Sequence, residues 1–509
     1  MIRVHLRRSV AEYFPMQIKS NPDEIQSFLS DASYMRDGYA DRVVLPGSVD
    51  EVTEILAIAN RDRTPVTVSG AGTGTVGGRV AYGGLVLATD RLNRIKGIVP
   101  GATSGSATVE AGVILSDLQQ AVEHEGLLYP PDPTERGCFI GGNVATNASG
   151  ARTFKYGPTR SYVDKLKIVM ADGDLLDLRR GELFAESGRI QVPLSSGKLI
   201  EARLPSYEMP HTRKNASGYF VSPEMDVIDL FIGSEGTLGV VVEVEVRLLL
   251  KPQGLLSGVV FFTSETHVLE FVSDARSRSL ANRELDSGLD ARALEFFDLE
   301  SLNFLRQKYP NVPEEAVAAI FFEQETTSET EDTLMAEWMT LLEKHDAMSD
   351  SWFATNEQDQ AKLREFRHQL PVLMNEWFAR YGQRKVSTDM SVPDEAFPGM
   401  FELYQEKLRA SGLKYTIFGH IGDNHVHVNI LPRDDQEGAR ARELYVKFLK
   451  HAASVGGTLS AEHGVGKLKR DYLRLFYSEE QLRSMEALKK SFDPHGILGR
   501  GNIFSEELL

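Results

Sequence analysis

Three of the chain's twelve histidines fall close together, in Gly419-His420-Ile421-Gly422-Asp423-Asn424-His425-Val426-His427. Imidazoles are the commonest ligands for zinc and related ions, and a carboxylate often completes such a set. The carboxylate candidate is Glu462, in Ser460-Ala461-Glu462-His463-Gly464-Val465-Gly466-Lys467. If a strand has begun by His425, alternation puts His425 and His427 on one face, and His420 can fold back across the turn at Gly422. Side chains 462 and 463 would diverge in a regular strand, so Gly464 is expected to bend the chain there. The pattern reads as a metal site, with a polar histidine network as the alternative.

A second chemistry-bearing stretch is Gly141-Gly142-Asn143-Val144-Ala145-Thr146-Asn147-Ala148-Ser149-Gly150. A helix or central strand of this composition loses backbone entropy and buries little apolar area. The stretch is therefore expected to press its backbone against something large and polar. Its flanks are Tyr129-Pro130-Pro131-Asp132-Pro133-Thr134 and then Arg152, Lys155, Tyr156 and Gly157. A third stretch follows Pro65-Val66-Thr67-Val68-Ser69 and reads Gly70-Ala71-Gly72-Thr73-Gly74-Thr75-Val76-Gly77-Gly78. It matches G-x-G-x-x-G, but the glycines after it cannot propagate the helix that a Rossmann site needs. Gly84-Leu85-Val86-Leu87-Ala88-Thr89 reads as a strand at once. The loop is expected to join two strands, or a strand and a turn, and to bind a diphosphate through backbone N–H groups.

The elements that must position these groups are legible at intervals. Ser48 opens a helix whose apolar positions are Val52, Ile55, Leu56 and Ala59. Leu115 to His124 is a second amphipathic helix, and Val240 to Leu250 alternates as a half-exposed strand. Lys251-Pro252-Gln253-Gly254 marks a domain boundary. Beyond it, strand, helix and strand suit an antiparallel sheet with helices on one face. A long helix from Gln358 to Phe378 is expected to be interrupted near Pro371. Lys385 to Pro393 reads as a strand.

Composition bounds the rest. At 509 residues, two or three domains are expected. A net charge of -17 argues against a nucleic-acid partner. Cys138 is the only cysteine, so no disulfide forms within the chain, and a reducing compartment is expected. Met1 to Phe14 is basic, with an apolar run too short for a signal peptide.

On these residues the chain resembles the flavin-linked 2-hydroxyacid dehydrogenases of the vanillyl-alcohol oxidase type. D-lactate dehydrogenase, glycolate oxidase GlcD and D-2-hydroxyglutarate dehydrogenase make up that group. The resemblance runs from about Asp41 to the end, carried by the stretches above together with Gly233-Ser234-Glu235-Gly236-Thr237-Leu238-Gly239 and Asp493-Pro494. It implies an α+β fold. A two-subdomain PCMH-type FAD-binding domain would span residues 1–252. A substrate (cap) domain with an antiparallel sheet covered by helices would span 253–458, and a C-terminal segment, 459–509, would return to the FAD domain.

The same resemblance implies noncovalent FAD, because no histidine matches a covalent attachment point. Its diphosphate would meet Gly70, Ala71, Gly72, Thr73 and Gly74, flanked by Ser69, Thr75 and Gly78. The rest of the cofactor would be lined by Pro131, Thr134, Gly141, Gly142, Asn147, Ser149, Gly150, Glu235, Gly236, Gly239, Val240 and Asn502. His420, His427 and Glu462 would hold a divalent ion, zinc or manganese. His463 would be the general base, and Arg364, with Arg367 nearby, would clamp a carboxylate. Three positions depart from the family: Ser69 replaces an arginine, Asp423-Asn424-His425 replaces Asp-Gly-Asn, and Arg500-Gly501-Asn502 replaces Pro-Gly-Lys.

The implied reaction is oxidation of a D-2-hydroxy acid, D-lactate first, to the 2-oxo acid by hydride transfer to flavin. The electron acceptor would be a protein, a quinone or oxygen. The runner-up is an oxygen-reducing oxidase of another alcohol or hydroxy acid. The location is expected to be cytoplasmic, with a peripheral contact to the inner membrane and a homodimer left open. A metal-dependent hydrolase would use the histidines but leave the stretch 141–150 unexplained.

Overall fold

The computed structural model describes residues 16–285 and 287–505, so the basic opening segment Met1 to Phe14 lies outside the described residues. Strands β1 (Gln17–Lys19), β2 (Arg42–Leu45), β3 (Val66–Ser69) and β4 (Leu85–Ala88) form a sheet in the order β1-β2-β4-β3. Both β2 and β3 run parallel to β4. The helix Val49–Arg61 makes the crossover from β2 to β3. The Ser48 hydroxyl accepts from the Glu51 N–H at 3.2 Å, and Glu51 accepts from the Gly47 N–H at 2.6 Å, so two otherwise unpaired donors are satisfied. Its buried Val52, Ile55, Leu56 and Ala59 pack against Val44, Val66 and Leu87 of the sheet. The glycine loop leads from β3 to β4 with no regular helix, and the parallel pairing rules out a simple hairpin.

A second sheet contains β5 (Ile95–Pro100), β6 (Ser104–Glu110), β7 (Leu127–Leu128), β8 (Val163–Val169) and β9 (Leu175–Arg179). Strands β10 (Arg189–Pro193) and β11 (Leu199–Arg203) pair as a separate hairpin. The long β12 (Val240–Leu250) runs between β6 and β8 and also pairs with β7. Its valines at 240, 242, 244 and 246 are buried, while Glu243, Glu245 and Arg247 face outward, as the alternation predicts.

The stretch 141–150 departs from its sequence reading. Ile140–Thr146 is a short helix, closed by Asn147 in the left-handed region at φ 48°. The helix is tolerated because its small residues serve packing. Gly141 lies against Ala111, where an added Cβ would be 2.6 Å from the Ala111 Cβ, while Ile140 and Val144 are buried in the core.

The third sheet is antiparallel throughout. It comprises β13 (Gly254–Phe262), β14 (Ala291–Asp298), β15 (Ala318–Thr326), β16 (Trp352–Ala354), β17 (Val386–Ser387), β18 (Tyr415–Gly419) and β19 (His427–Ile430), in the order β16-β13-β15-β14-β18-β19-β17. Helices cover both faces rather than one. Val260, Phe262, Phe296 and Phe322 meet the helices Glu265–Leu285 and Glu331–Lys344, with Phe322 stacked on Trp338 at 3.9 Å. Val259, Phe261, Phe297 and Phe321 meet Leu299–Leu305 and Glu357–Tyr381 on the other face. The reason is in the strands. Residues 256–262 are buried without alternation, so neither face can be left to water.

Two further expectations are corrected. The helix Glu357–Tyr381 runs unbroken through Pro371, because burial of Phe366, Leu370, Leu373 and Met374 around the proline offsets its lost hydrogen bond. The predicted strand Lys385 to Pro393 pairs only at β17. The chain then leaves the sheet edge and carries Asp389 into the interior at 1% exposure. The C-terminal residues return to the first sheet. Leu498 bridges to Val66, and the Lys489 ammonium donates to the Leu498 and Thr237 carbonyls. The fold is α+β, as expected.

Asp298 ends β14 and caps the helix Leu299–Leu305, accepting from the Ser301 N–H at 2.8 Å. Burial pushes its carboxyl up to about 7, against the hydrogen bonds from Ser301. An acid whose pKa is raised by folding stabilises the fold below its unfolded pKa and loses that contribution as pH rises through its folded value. Asp298→Asn keeps the cap but has no proton to lose. We expect it to melt higher than the parent at pH 8, by on the order of 2 kcal/mol, and to show no gain at pH 5. Thermal melts across that range check the sign.

Candidate active site

Strand β18 ends at Gly419 and delivers His420 into a tight turn, Ile421–Asp423. Asn424 follows in the left-handed region at φ 52°, a conformation asparagine tolerates better than most residues, so it can stand where the family has glycine. Strand β19 begins only at His427. His425 therefore lies in the turn rather than on a shared strand face, with its ring 4.6 Å from that of His427.

Glu462 arrives from the C-terminal region and draws the cluster together. Its Oε1 is 3.2 Å from His420 Nε2 and 3.1 Å from His427 Nε2. Its Oε2 accepts from Ser149 Oγ at 3.1 Å and from the buried Lys214 Nζ at 3.2 Å. Lys214 also donates to the Gly150 carbonyl at 3.0 Å and lies 3.3 Å from Asp423. Burial opposes charge on Glu462, but Lys214 and His420 outweigh it and hold the carboxyl well below its usual range.

The outer nitrogens are also held. His420 Nδ1 is 2.6 Å from Glu295 Oε1, and Arg367 Nε donates to Glu295 Oε2 at 3.1 Å. Burial works against charge on His420, yet Glu295 raises it to about 9. His427 Nδ1 faces the Thr388 carbonyl at 3.2 Å, so that nitrogen carries the proton. Burial lowers the His427 pKa and keeps the ring neutral. Its Nε2 lone pair then faces a carboxylate oxygen at 3.1 Å, an acceptor against an acceptor. A cation between them removes that repulsion, so the donor set fits a metal ion.

His463 stands beside this set, its ring parallel to that of His427 with centroids 5.4 Å apart. His463 Nδ1 is 3.2 Å from Asp389 Oδ2 and Nε2 is 3.7 Å from Glu462 Oε1. Asp389 Oδ2 also accepts from the His463 N–H, the Ser460 hydroxyl and Lys469 Nζ. Burial opposes its charge, but His463 and Lys469 hold Asp389 well below the usual carboxylate range. An ionised Asp389 fixes the proton of His463 on Nδ1 and leaves Nε2 to accept another.

Of the two arginines, Arg367 is committed to Glu295, whereas Arg364 keeps a 31% exposed side chain whose ionic partner Glu323 is 4.0 Å away. Glu323 is instead paired with the buried Arg292 at 2.6 Å.

One continuous cleft is lined by Gly70, Ala71, Gly72, Thr73, Gly74, Thr75, Gly78, Thr134, Gly141, Gly142, Ser149, Glu235, Gly236, Gly239, Val240 and Asn502, and also by Glu462 and His463. Ser69, Pro131, Asn147 and Gly150 stand outside the lining. Ser69 accepts from Arg79 at 3.2 Å, and Asn147 accepts from the Arg160 N–H at 3.0 Å. A Cβ on Gly150 would come within 2.0 Å of the Asp132 carbonyl. Arg79 itself lines the cleft, so an arginine reaches the first loop although position 69 is serine. An added Cβ at Gly74 or Gly142 meets nothing within 4 Å, which leaves room for a bulky group against bare backbone. Glu235 ties the walls together. Its carboxylate accepts from the Val465 and Gly466 N–H groups at 2.6 and 2.7 Å, and burial raises its pKa to about 7.

Sequence reasoning missed Glu295, Asp389, Lys214 and Lys469. Lys214 sits in a compact polar stretch, Arg213 to Tyr219, that signals a loop without signalling its target. Glu295 lies within an apolar strand, and a buried charge there is the signal that could have found it.

Two families match the chain. The one described as FAD binding domain matches residues 40–179, and the one described as FAD linked oxidases, C-terminal domain, matches residues 257–503. The chain is 31% identical to the glycolate oxidase subunit GlcD of Bacillus subtilis (strain 168), over 94% of this chain and 92% of that protein. It is 31% identical to a D-2-hydroxyglutarate dehydrogenase of Xanthomonas citri pv. viticola, over 96% and 94%. It is 30% identical to a D-lactate dehydrogenase of Anaerostipes hadrus, over 90% and 88%. The fold is similar to that of an alkyldihydroxyacetonephosphate synthase, with a TM-score of 0.66 at 16% identity, covering 97% of this chain and 84% of that one.

Proposed function

Because the chain belongs to the FAD-linked oxidases, and is thus an FAD-dependent oxidoreductase acting on 2-hydroxy acids, we propose the finer reading that it oxidises a small D-2-hydroxy acid, D-lactate first, to the 2-oxo acid. The observation that carries this is the shared cavity. Glu462 and His463 line the same cleft as the loops at Gly70–Gly74 and Gly141–Gly142. Proton removal and electron acceptance can therefore act on one small molecule.

Noncovalent FAD, held by the lining residues, would supply the acceptor for the α-hydrogen and its electron pair. A divalent ion on His420, His427 and Glu462, zinc or manganese, would supply Lewis-acid polarisation of the substrate hydroxyl. The chain's own groups do the rest. Arg364 has the exposed guanidinium to take the substrate carboxylate through paired hydrogen bonds. His463 Nε2 accepts the hydroxyl proton while Asp389 holds the ring through Nδ1. Arg367 acts at one remove by orienting Glu295 and, through it, His420.

The natural acceptor is a protein, a quinone or oxygen. Among the described residues no helix is long and apolar enough to cross a membrane. The test is the visible spectrum of the purified protein, followed without oxygen after D-lactate, glycolate or D-2-hydroxyglutarate is added. Flavin bands that bleach fastest with D-lactate support the reading. Bleaching with another of the three reassigns the substrate. Bands that persist with every 2-hydroxy acid overturn it.

A further inference from the structure

His425 stands where the family has asparagine, and the roles given above leave it without a task. It is fully buried, at 0% exposure. Neither ring nitrogen has a hydrogen bond, although Nε2 lies 3.3 Å from Asp389 Oδ1. A buried imidazole with no hydrogen bond is a costly arrangement unless a further partner takes its lone pair. Its surroundings name that partner. The ring centroid is 4.6 Å from that of His427 and 5.6 Å from that of His420. One donor atom from each of His420, His425, His427 and Glu462 lies within 4.8 Å of the others.

We propose that His425 is a fourth protein ligand, so that this chain holds its ion with three imidazoles and one carboxylate. The proposal rests on the metal reading above and extends it. The outer contacts follow one rule around the ring of ligands. A metal-bound imidazole turns its second nitrogen to a carboxylate or carbonyl that fixes its orientation. His420 turns to Glu295 and His427 to the Thr388 carbonyl. His425 turns to Asp389, which also holds His463. Three nitrogens and one oxygen favour a borderline ion such as zinc over magnesium or calcium, which prefer oxygen. The substrate hydroxyl then has to enter as an added ligand, by expansion of the coordination shell.

The experiment uses the purified flavoprotein loaded with zinc alone. X-ray absorption at the zinc edge counts the imidazoles, and competition with a chelator gives the affinity. We expect three imidazoles in the parent and two in His425→Asn, which restores the family's residue, with zinc bound at least about tenfold more weakly. Excess magnesium should not displace zinc from the parent. Retained FAD and an unchanged melt show that the variant is folded. The count in the parent needs no variant and decides the matter alone. Two imidazoles in the parent, or equal affinity in a folded variant, overturns the fourth ligand and leaves the three-ligand site standing. A parent that binds no zinc or other divalent ion overturns the metal reading itself.

Discussion

His463→Ala is expected to yield a yellow protein whose flavin reduces about 10²- to 10⁴-fold more slowly with substrate, the range for loss of a positioned general base. The side chain is 32% exposed and lies at the cleft wall, so its removal opens little buried space. Glu462 keeps its contacts to His420, His427 and Lys214, and the ion site should survive. The defect should fall on the rate of reduction, leaving FAD content and bound metal as in the parent. Anaerobic stopped-flow absorbance measures that rate. Reduction within tenfold of the parent would remove His463 from the chemistry and send the search to another acceptor in the cleft.

Gly142→Phe should purify folded and colourless. Gly142 sits within the helix Ile140–Thr146, lines the cleft, and has open space where its Cβ would go. A phenyl ring there enters the volume assigned to the cofactor without striking the protein. Gly142→Ala is the control. It adds one methyl group in a helix, which gains about 1 kcal/mol of helix propensity, and should keep its flavin. The neighbouring Gly141 would behave differently, since any side chain at that position strikes Ala111 and threatens the fold itself. Absorbance of the purified variants, with circular dichroism for folding, separates the two cases. Stoichiometric flavin in folded Gly142→Phe would mean that the cofactor does not lie against this helix.

The sequence by itself determined what is local. The cap at Ser48, the helix Leu115–His124 and the alternation of β12 follow from residue spacing, and the structure has them within a residue or two. The same holds for the glycine loop after Ser69, whose composition forbids a helix and leaves backbone N–H groups bare. The concentration of histidines at 420, 425 and 427, and the Glu462-His463 pair, was visible as residue types that ligate and move protons. The family resemblance added the cofactor.

Tertiary structure alone decided the partners. Glu295 reaches His420 because β14 pairs with β18, a contact between distant segments for which an apolar strand gives no local sign. Asp389 reaches both His425 and His463 because the chain leaves the sheet after β17, and strand propensity predicted that it would stay. Lys214 is neutralised by Glu462 and Asp423, which lie more than two hundred positions away in the sequence. The start of β19 put His425 in a turn instead of beside His427, since a strand's register is set by its neighbour and not by its own residues. Pro371 stays helical for a related reason: packing on both sides of the third sheet outweighs one missing hydrogen bond. Spacing can show which groups are able to do chemistry. Which of them meet, and in which protonation state, is set by burial and by charges that arrive from elsewhere in the chain.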